Sequence, residues 1–176
     1  MTSLDALLEG LKLKALPRAG WVRKHVSAPE SVASHSWGIS FLVLALLPPQ
    51  LDRGRALAYA ALHDLPEVRV GDLTPVDPVS KEGKARLEHE AMSGICAGLN
   101  APELLQLYEA YESQRDPEAR FVRELDRLDM ALQALAYHEA GGEGLLEFVE
   151  SADRVVRDPV LRPWIDQIRA RMAMPR

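Results

Sequence analysis

Apolar residues along this chain recur at spacings of three and four far more often than they alternate, which predicts helices almost throughout. The stretch SLDALLEGLKL places Leu4, Leu7, Leu8 and Leu11 on one helical face, with Ser3 in an N-cap position. PRAGWVRKHVSAPE breaks the period and is read as a loop. A second helix opens near Ser31 and runs through SVASHSWGISFLVLALL until Pro48 and Pro49 stop it. RGRALAYAALHDLPEV is a third, and the proline-rich stretch from Gly71 to Ser80 is a loop. KEGKARLEHEAMSGICAGL is a fourth, with Leu87, Ala91, Met92 and Ile95 as its apolar side, and APELLQLYEAYES is a fifth. PEARFVRELDRLDMALQALAYHEAG forms a long sixth, with Phe121, Leu125, Leu128, Leu132 and Leu135 at helical spacing and Gly141-Gly142 ending it. One or two shorter helices fill the rest, the last around LRPWIDQIRARMAM.

Composition supports the same picture. Val, Ile and Thr are sparse while Ala, Leu, Glu and Arg abound. With 176 residues and no repeat or linker, the expected fold is all-α, a single helical bundle of about six to eight helices covering 1–176. A net charge of −5 without any basic stripe argues against a nucleic-acid polymer as partner. No apolar run approaches the ~18 residues needed to span a membrane. The one cysteine, Cys96, lies among small and apolar residues and reads as a buried small hydrophobe, compatible with a reducing cytoplasm.

One segment does not fit a plain bundle. ALHDLPEVRVGDLTP sets His63, Asp64, Glu67 and Asp72 at the end of an apolar helix. Ionised groups are rarely buried without partners, so these either line a solvated rim or surround something positive. Glu67 stands at i+4 from His63 and i+3 from Asp64, on the same side. A His-Asp pair alone is a weak signal, and a half-buried histidine beside a helix-end aspartate is its ordinary meaning. A catalytic metal needs at least three protein ligands. His35, inside the apolar second helix, and Asp126, at the margin of the sixth helix's apolar stripe, offer two more donors. Taken singly, His35 reads as a core histidine and Asp126 as a solubilising residue, as Asp129 does. Together, two imidazoles and two carboxylates suit a divalent transition ion better than Ca²⁺.

The order His…His-Asp…Asp resembles that of the HD-domain metal phosphohydrolases. The surrounding segments LPRAGWV, PESVASHSW, HDLPEVRVGDLTP, KEGKARLEHEAM, YEAYE and PEARFVRELDRLDMALQALAYH resemble more narrowly the HD-domain 5′-deoxynucleotidases, over roughly residues 10 to 140. The resemblance implies a cytoplasmic, usually dimeric helical enzyme that removes phosphate from deoxyribonucleoside 5′-monophosphates; it carries nothing beyond about residue 140, where C-terminal helices in 144–176 are expected to pack on the domain. It places the ligands of one divalent metal ion (Mn, Co, Fe, Zn or Mg) on His35, His63, Asp64 and Asp126. The catalytic acidic pair falls on Glu67 and Asp72, and the substrate contacts on Arg18 and Trp21. Two positions depart from the family pattern: Ser34 stands where an acidic residue is common, and Pro66 where a small one is. Pro66 should end or kink the helix before Glu67.

In this scheme Glu67 orients or deprotonates the attacking water, and Asp72 either holds that water or protonates the departing 5′ oxygen. Arg18 pairs with phosphate or contacts the sugar, and Trp21 stacks on the base or presses on C2′. The plainer alternatives are core packing for Trp21 and a solvated surface role for Arg18, Lys81 and Lys84. His25, His89, His138, Tyr108 and Tyr111 carry no expected chemistry. Two other functions remain open: an HD hydrolase of another nucleotide (triphosphate, cyclic or polyphosphorylated), and a sensor that binds metal and nucleotide without turnover.

Overall fold

The structure, a computed structural model, describes residues 2–174; Met1 and the last two positions of the predicted C-terminal stretch, 175–176, lie outside the described residues. It is all-α. Among the described residues there are ten α-helices and one 3-10 turn, with no strand beyond an isolated antiparallel bridge between Pro17 and Ser31. The helices are α1 (Leu4–Gly10), α2 (Ala19–Arg23), α3 (Val32–Leu46), α4 (Arg53–Leu62), α5 (Glu67–Val70), α6 (Lys81–Leu99), α7 (Pro102–Ser113), α8 (Pro117–Glu139), α9 (Leu146–Val155) and α10 (Arg162–Met172), with the 3-10 turn Leu11–Lys14 after α1. None is long and apolar enough to cross a membrane.

The count exceeds the predicted six to eight because short helices formed where the pattern was weak. The expected loop 17–30 contains α2, and the third helix breaks at His63, with α5 restarting after Pro66. The long helices begin where local chemistry says they should. Ser31, Asp52, Ser80 and Asp116 each accept a hydrogen bond from a backbone N–H in the first turn of α3, α4, α6 and α8. Each such cap satisfies an otherwise orphaned donor and stabilises the start by about 1 kcal/mol. Asn100, in the left-handed conformation, terminates α6.

Helix α8 runs through the centre, packed by α3, α4, α7, α9 and α10. Its stripe Phe121, Leu125, Leu128 and Leu135 is buried as the spacing predicts, with Leu132 partly buried at its edge. The first helix departs from expectation. Leu4, Leu7, Leu8 and Leu11 are all at least half exposed, and α1 is held instead through Ala6, whose Cβ faces Gly98 of α6. A seven-residue helix docked by its smallest side chain leaves its leucine face outward. In α3, Trp37, Phe41 and Leu44 are likewise exposed at helical spacing.

Candidate active site

Two kinds of support converge on one cleft. His35 lies in the first turn of α3 and Asp126 on α8, both anchored by helices whose other sides form the core. His63 caps the C-terminus of α4, and Asp64 follows in the turn that Pro66 closes. The proline thus ends α4 before the site and starts α5, which carries the buried Glu67. Gly71, at φ 84°, makes the left-handed turn that sends Asp72 back towards the cleft. There Asp72 Oδ2 accepts from the Ala19 N–H at 2.7 Å. Arg18 N–H donates to Glu30 C=O at 2.9 Å and Val32 N–H to Leu16 C=O at 2.9 Å, so the 16–18 segment is tied to the start of α3.

His35, His63 and Asp126 bring one donor atom each to within 4.8 Å of one another. His35 Nε2 is 3.2 Å from Asp126 Oδ1 and 3.7 Å from Asp64 Oδ2, and His63 Nε2 is 3.1 Å from Asp64 Oδ2. Despite these distances neither Nε2 has the alignment of a hydrogen bond, and Glu67 Oε2 is also buried and unpaired. Buried polar atoms are nearly always satisfied, so unpaired imidazole nitrogens on His35 and His63, beside Asp64 and Asp126, are suited to a ligand of their own. Two imidazole nitrogens and two carboxylates form a donor set that fits a divalent cation.

Electrostatics agree with that fit. Burial disfavours charge on Asp64 and Asp126, yet His63, Arg18 and His35 hold Asp64, and His35 with Arg127 holds Asp126, well below the usual carboxylate range. Burial and Arg18 would lower His35, but Asp126 and Asp129 overcome them and push it up to about 10. Burial, together with the anions of Asp64 and Asp72, pushes Glu67 up to about 10. The cleft gathers carboxylates whose mutual repulsion favours positive charge beside them; this adds to burial in shifting Glu67 upward and overcomes burial in shifting His35 upward.

Arg18 is not on a solvated surface. Its guanidinium reaches Asp64 at 3.2 Å and Asp72 at 3.6 Å. Burial opposes its charge, but Asp64 and Asp72 raise its pKa further above the ordinary value. Trp21 lines the cleft yet is only 2% exposed; its indole N–H donates to Glu30 at 2.9 Å and its ring packs on Phe148 and Tyr137. Most of Trp21 is therefore core.

Several cleft residues carried no sequence signal. Lys84, expected on a solvated face, donates to Leu73 C=O at 3.1 Å and pairs with Glu88 at 3.4 Å, fastening the Gly71–Ser80 loop; Lys81 stands beside it at the cleft. Met130 and Phe148 supply apolar wall, the latter from beyond residue 140. Asp129, expected to be a solubilising residue, instead accepts from His35 Nδ1 at 2.7 Å. A signal for it existed: Asp129 is i+3 from Asp126 and so shares its helix face. His89, by contrast, pairs with Glu109 at the surface, and Tyr108, Tyr111 and Cys96 are buried, as expected. The cleft encloses about 300 Å³, the scale of a small-molecule site.

The fold is all-helical, with histidines and aspartates that could hold a metal ion clustered over a small cleft. The family model described as HD domain matches residues 11–158, and the chain belongs to that family. It is 34% identical to 5′-deoxynucleotidase hdd1 of Schizosaccharomyces pombe over 165 residues, 89% of this chain and 83% of that one. It is 38% identical to 5′-deoxynucleotidase HDDC2 of Danio rerio over 165 residues, 89% of this chain and 82% of that one. Among solved structures, a conserved hypothetical protein from Pyrococcus furiosus superposes with a TM-score of 0.81 at 33% identity, covering 96% of this chain and 99% of that one.

Proposed function

We propose that this protein is a metal-dependent 5′-deoxynucleotidase that hydrolyses deoxyribonucleoside 5′-monophosphates to deoxyribonucleoside and phosphate. The observation that carries the reading is the convergence of His35, His63, Asp64 and Asp126, with unpaired imidazole nitrogens, beside the buried Glu67. The named activity of relatives matched over most of their length supports the substrate class. His35, His63, Asp64 and Asp126 would hold one divalent cation. When bound, such an ion supplies positive charge to a phosphoryl oxygen and acidifies water.

Glu67 accepts the proton of the attacking water. Its raised pKa means that it carries a proton until positive charge enters the site, which couples its readiness to loading. Asp72, with one oxygen fixed by the Ala19 N–H, orients that water or protonates the departing 5′ oxygen. Arg18, set between Asp64 and Asp72, turns its guanidinium to the phosphate. Trp21, Met130 and Phe148 bound the sugar end of the cleft, where a close apolar wall leaves no partner for a 2′ hydroxyl.

The deciding experiment is a phosphate-release screen of all ribo- and deoxyribonucleoside monophosphates with Mn²⁺ and Co²⁺. Release from the deoxy series, and not from dGTP or cyclic nucleotides, is expected; metal-loaded protein inert to every nucleotide would instead favour a sensor. The same reading includes a cytoplasmic homodimer. The exposed row Trp37, Phe41 and Leu44 on α3, with the Trp37 and Phe41 rings stacked 5.9 Å apart, supports pairing. Phe41→Glu should convert the dimer to monomer in sedimentation, and an unaltered protein that sediments as a monomer refutes it.

A further inference from the structure

The two histidines of the cleft are held from behind in different ways. His63 Nδ1 lies 3.0 Å from Ala60 C=O, an acceptor only, so Nδ1 carries the hydrogen and the Nε2 lone pair faces the cleft. His35 Nδ1 lies 2.7 Å from Asp129 Oδ2, again an acceptor, which imposes the same tautomer and adds a full negative charge. Asp129 reaches that position only because residue 38 has no side chain. A Cβ built on Gly38 would sit 2.2 Å from Asp129 Oδ1 and 3.1 Å from its Cγ. Glycine in the interior of a helix is unfavourable, and nothing in the backbone of α3 calls for it: Gly38 is not among the residues with positive φ. The short Asp129 side chain, once displaced, loses His35.

We propose that Asp129 is a positioning residue that sets the tautomer and ring orientation of His35, and that Gly38 exists to leave room for it. The inference rests on the reading of His35 as a metal ligand. Carboxylates behind ligating histidines raise ligand basicity and fix the ring, and their loss typically weakens metal binding tenfold to a hundredfold. Asp129 would act on the chemistry only through His35.

The test uses the full chain and Zn²⁺, with affinity measured by competition against a chromophoric chelator and His tautomers read from ¹⁵N shifts of the Zn²⁺-loaded protein. Asp129→Asn and Gly38→Ala should each weaken Zn²⁺ about tenfold or more. In both, the ¹⁵N signals of His35 should shift while those of His63 stay in place, which a general loosening of the fold would not produce. In an Asp129→Ala background, Gly38→Ala should cost nothing further, because the clashing group is gone. If Gly38→Ala alone does not fold, recovery of folding in that double variant reports the same clash. Zn²⁺ affinity within twofold of the unaltered protein for Asp129→Asn, a Gly38→Ala loss that persists in full without Asp129, or a His35 Nδ1 that carries no proton overturns the inference. Unaltered protein that binds no Zn²⁺ overturns the metal reading as well, whereas binding that ignores Asp129 and Gly38 overturns this inference alone.

Discussion

The cleft has two walls of different construction. One is made by α3 and α8, long helices that carry His35 and Asp126 on faces adjoining the hydrophobic core. The other is made by the turn, short helix and loop between His63 and Ser80, which carry His63, Asp64, Glu67 and Asp72. In the helical wall packing places the backbone that carries each donor: Leu125, next to Asp126, is fully buried, and Ile39, one turn from His35, is too, while the His35 ring is turned by Asp129. In the turn wall three of the four are placed by polar contacts, Ala60 C=O on His63, Arg18 on Asp64 and the Ala19 N–H on Asp72, with Lys84 on the loop backbone at Leu73, whereas Glu67 is held by burial on α5. Packing resists displacement from many directions at once, whereas one hydrogen bond fixes one atom. The helical wall is held by many contacts and the turn wall by a few polar ones, and each carries one group whose proton occupancy responds to charge, His35 in the first and Glu67 in the second.

If that division is right, substitutions in the two walls fail differently. The largest effect belongs to Glu67→Ala, which should lower phosphate release by about 10²- to 10⁴-fold while metal content, measured by elemental analysis, stays intact. Loss of metal in that variant would make Glu67 a ligand and merge the two roles. Leu125→Ala should cost roughly 2–5 kcal/mol in denaturant unfolding and weaken metal binding with it, because the cavity lies beneath Asp126. Metal affinity untouched by such a cavity would break the claim that packing places this wall. Arg18→Ala should raise KM about tenfold to a hundredfold, leaving metal content unchanged, since it removes a charge-assisted contact and a competing cation rather than a donor.

The smallest effect is one of pH. His35 in the folded protein sits at about 10 against an ordinary 6.5, so its contribution to stability is complete below 6.5 and is lost as pH rises through about 10. Glu67, also raised to about 10, from 4.5, acts in the same direction. Chelated protein should therefore melt at progressively lower temperature from pH 6.5 upward, and a divalent cation should restore more of the melting temperature near the top of that range. The lowered pKa values of Asp64 and Asp126 act oppositely: their contribution is present above the ordinary 3.8 and is lost as pH falls below it. A flat melting profile across the alkaline range would show that protons on His35 and Glu67 do not stand in for a divalent cation in chelated protein.

The amino-acid sequence by itself determined what depends on neighbours along the chain. The starts of α3, α4, α6 and α8 follow from a Ser or Asp that reaches a backbone N–H three residues on. The stripe of α8, the stop at Pro48 and the break before Glu67 likewise need only helical spacing and proline's missing donor. The candidate set His35, His63, Asp64 and Asp126 came from the order of those residue types and the family resemblance they carry, and the fold brings the four near one another. Only the tertiary structure decided what each side chain meets across the gap between elements. Asp129 looked like a surface charge until α8 docked on α3 and brought it to His35, past a glycine that leaves the way open. The leucines of α1 looked like core until the helix docked by Ala6. Phe148 reached the cleft from a helix without any site motif. Such pairings depend on the angle and distance at which helices meet, and those are set by the packing of all the side chains together rather than by any local stretch.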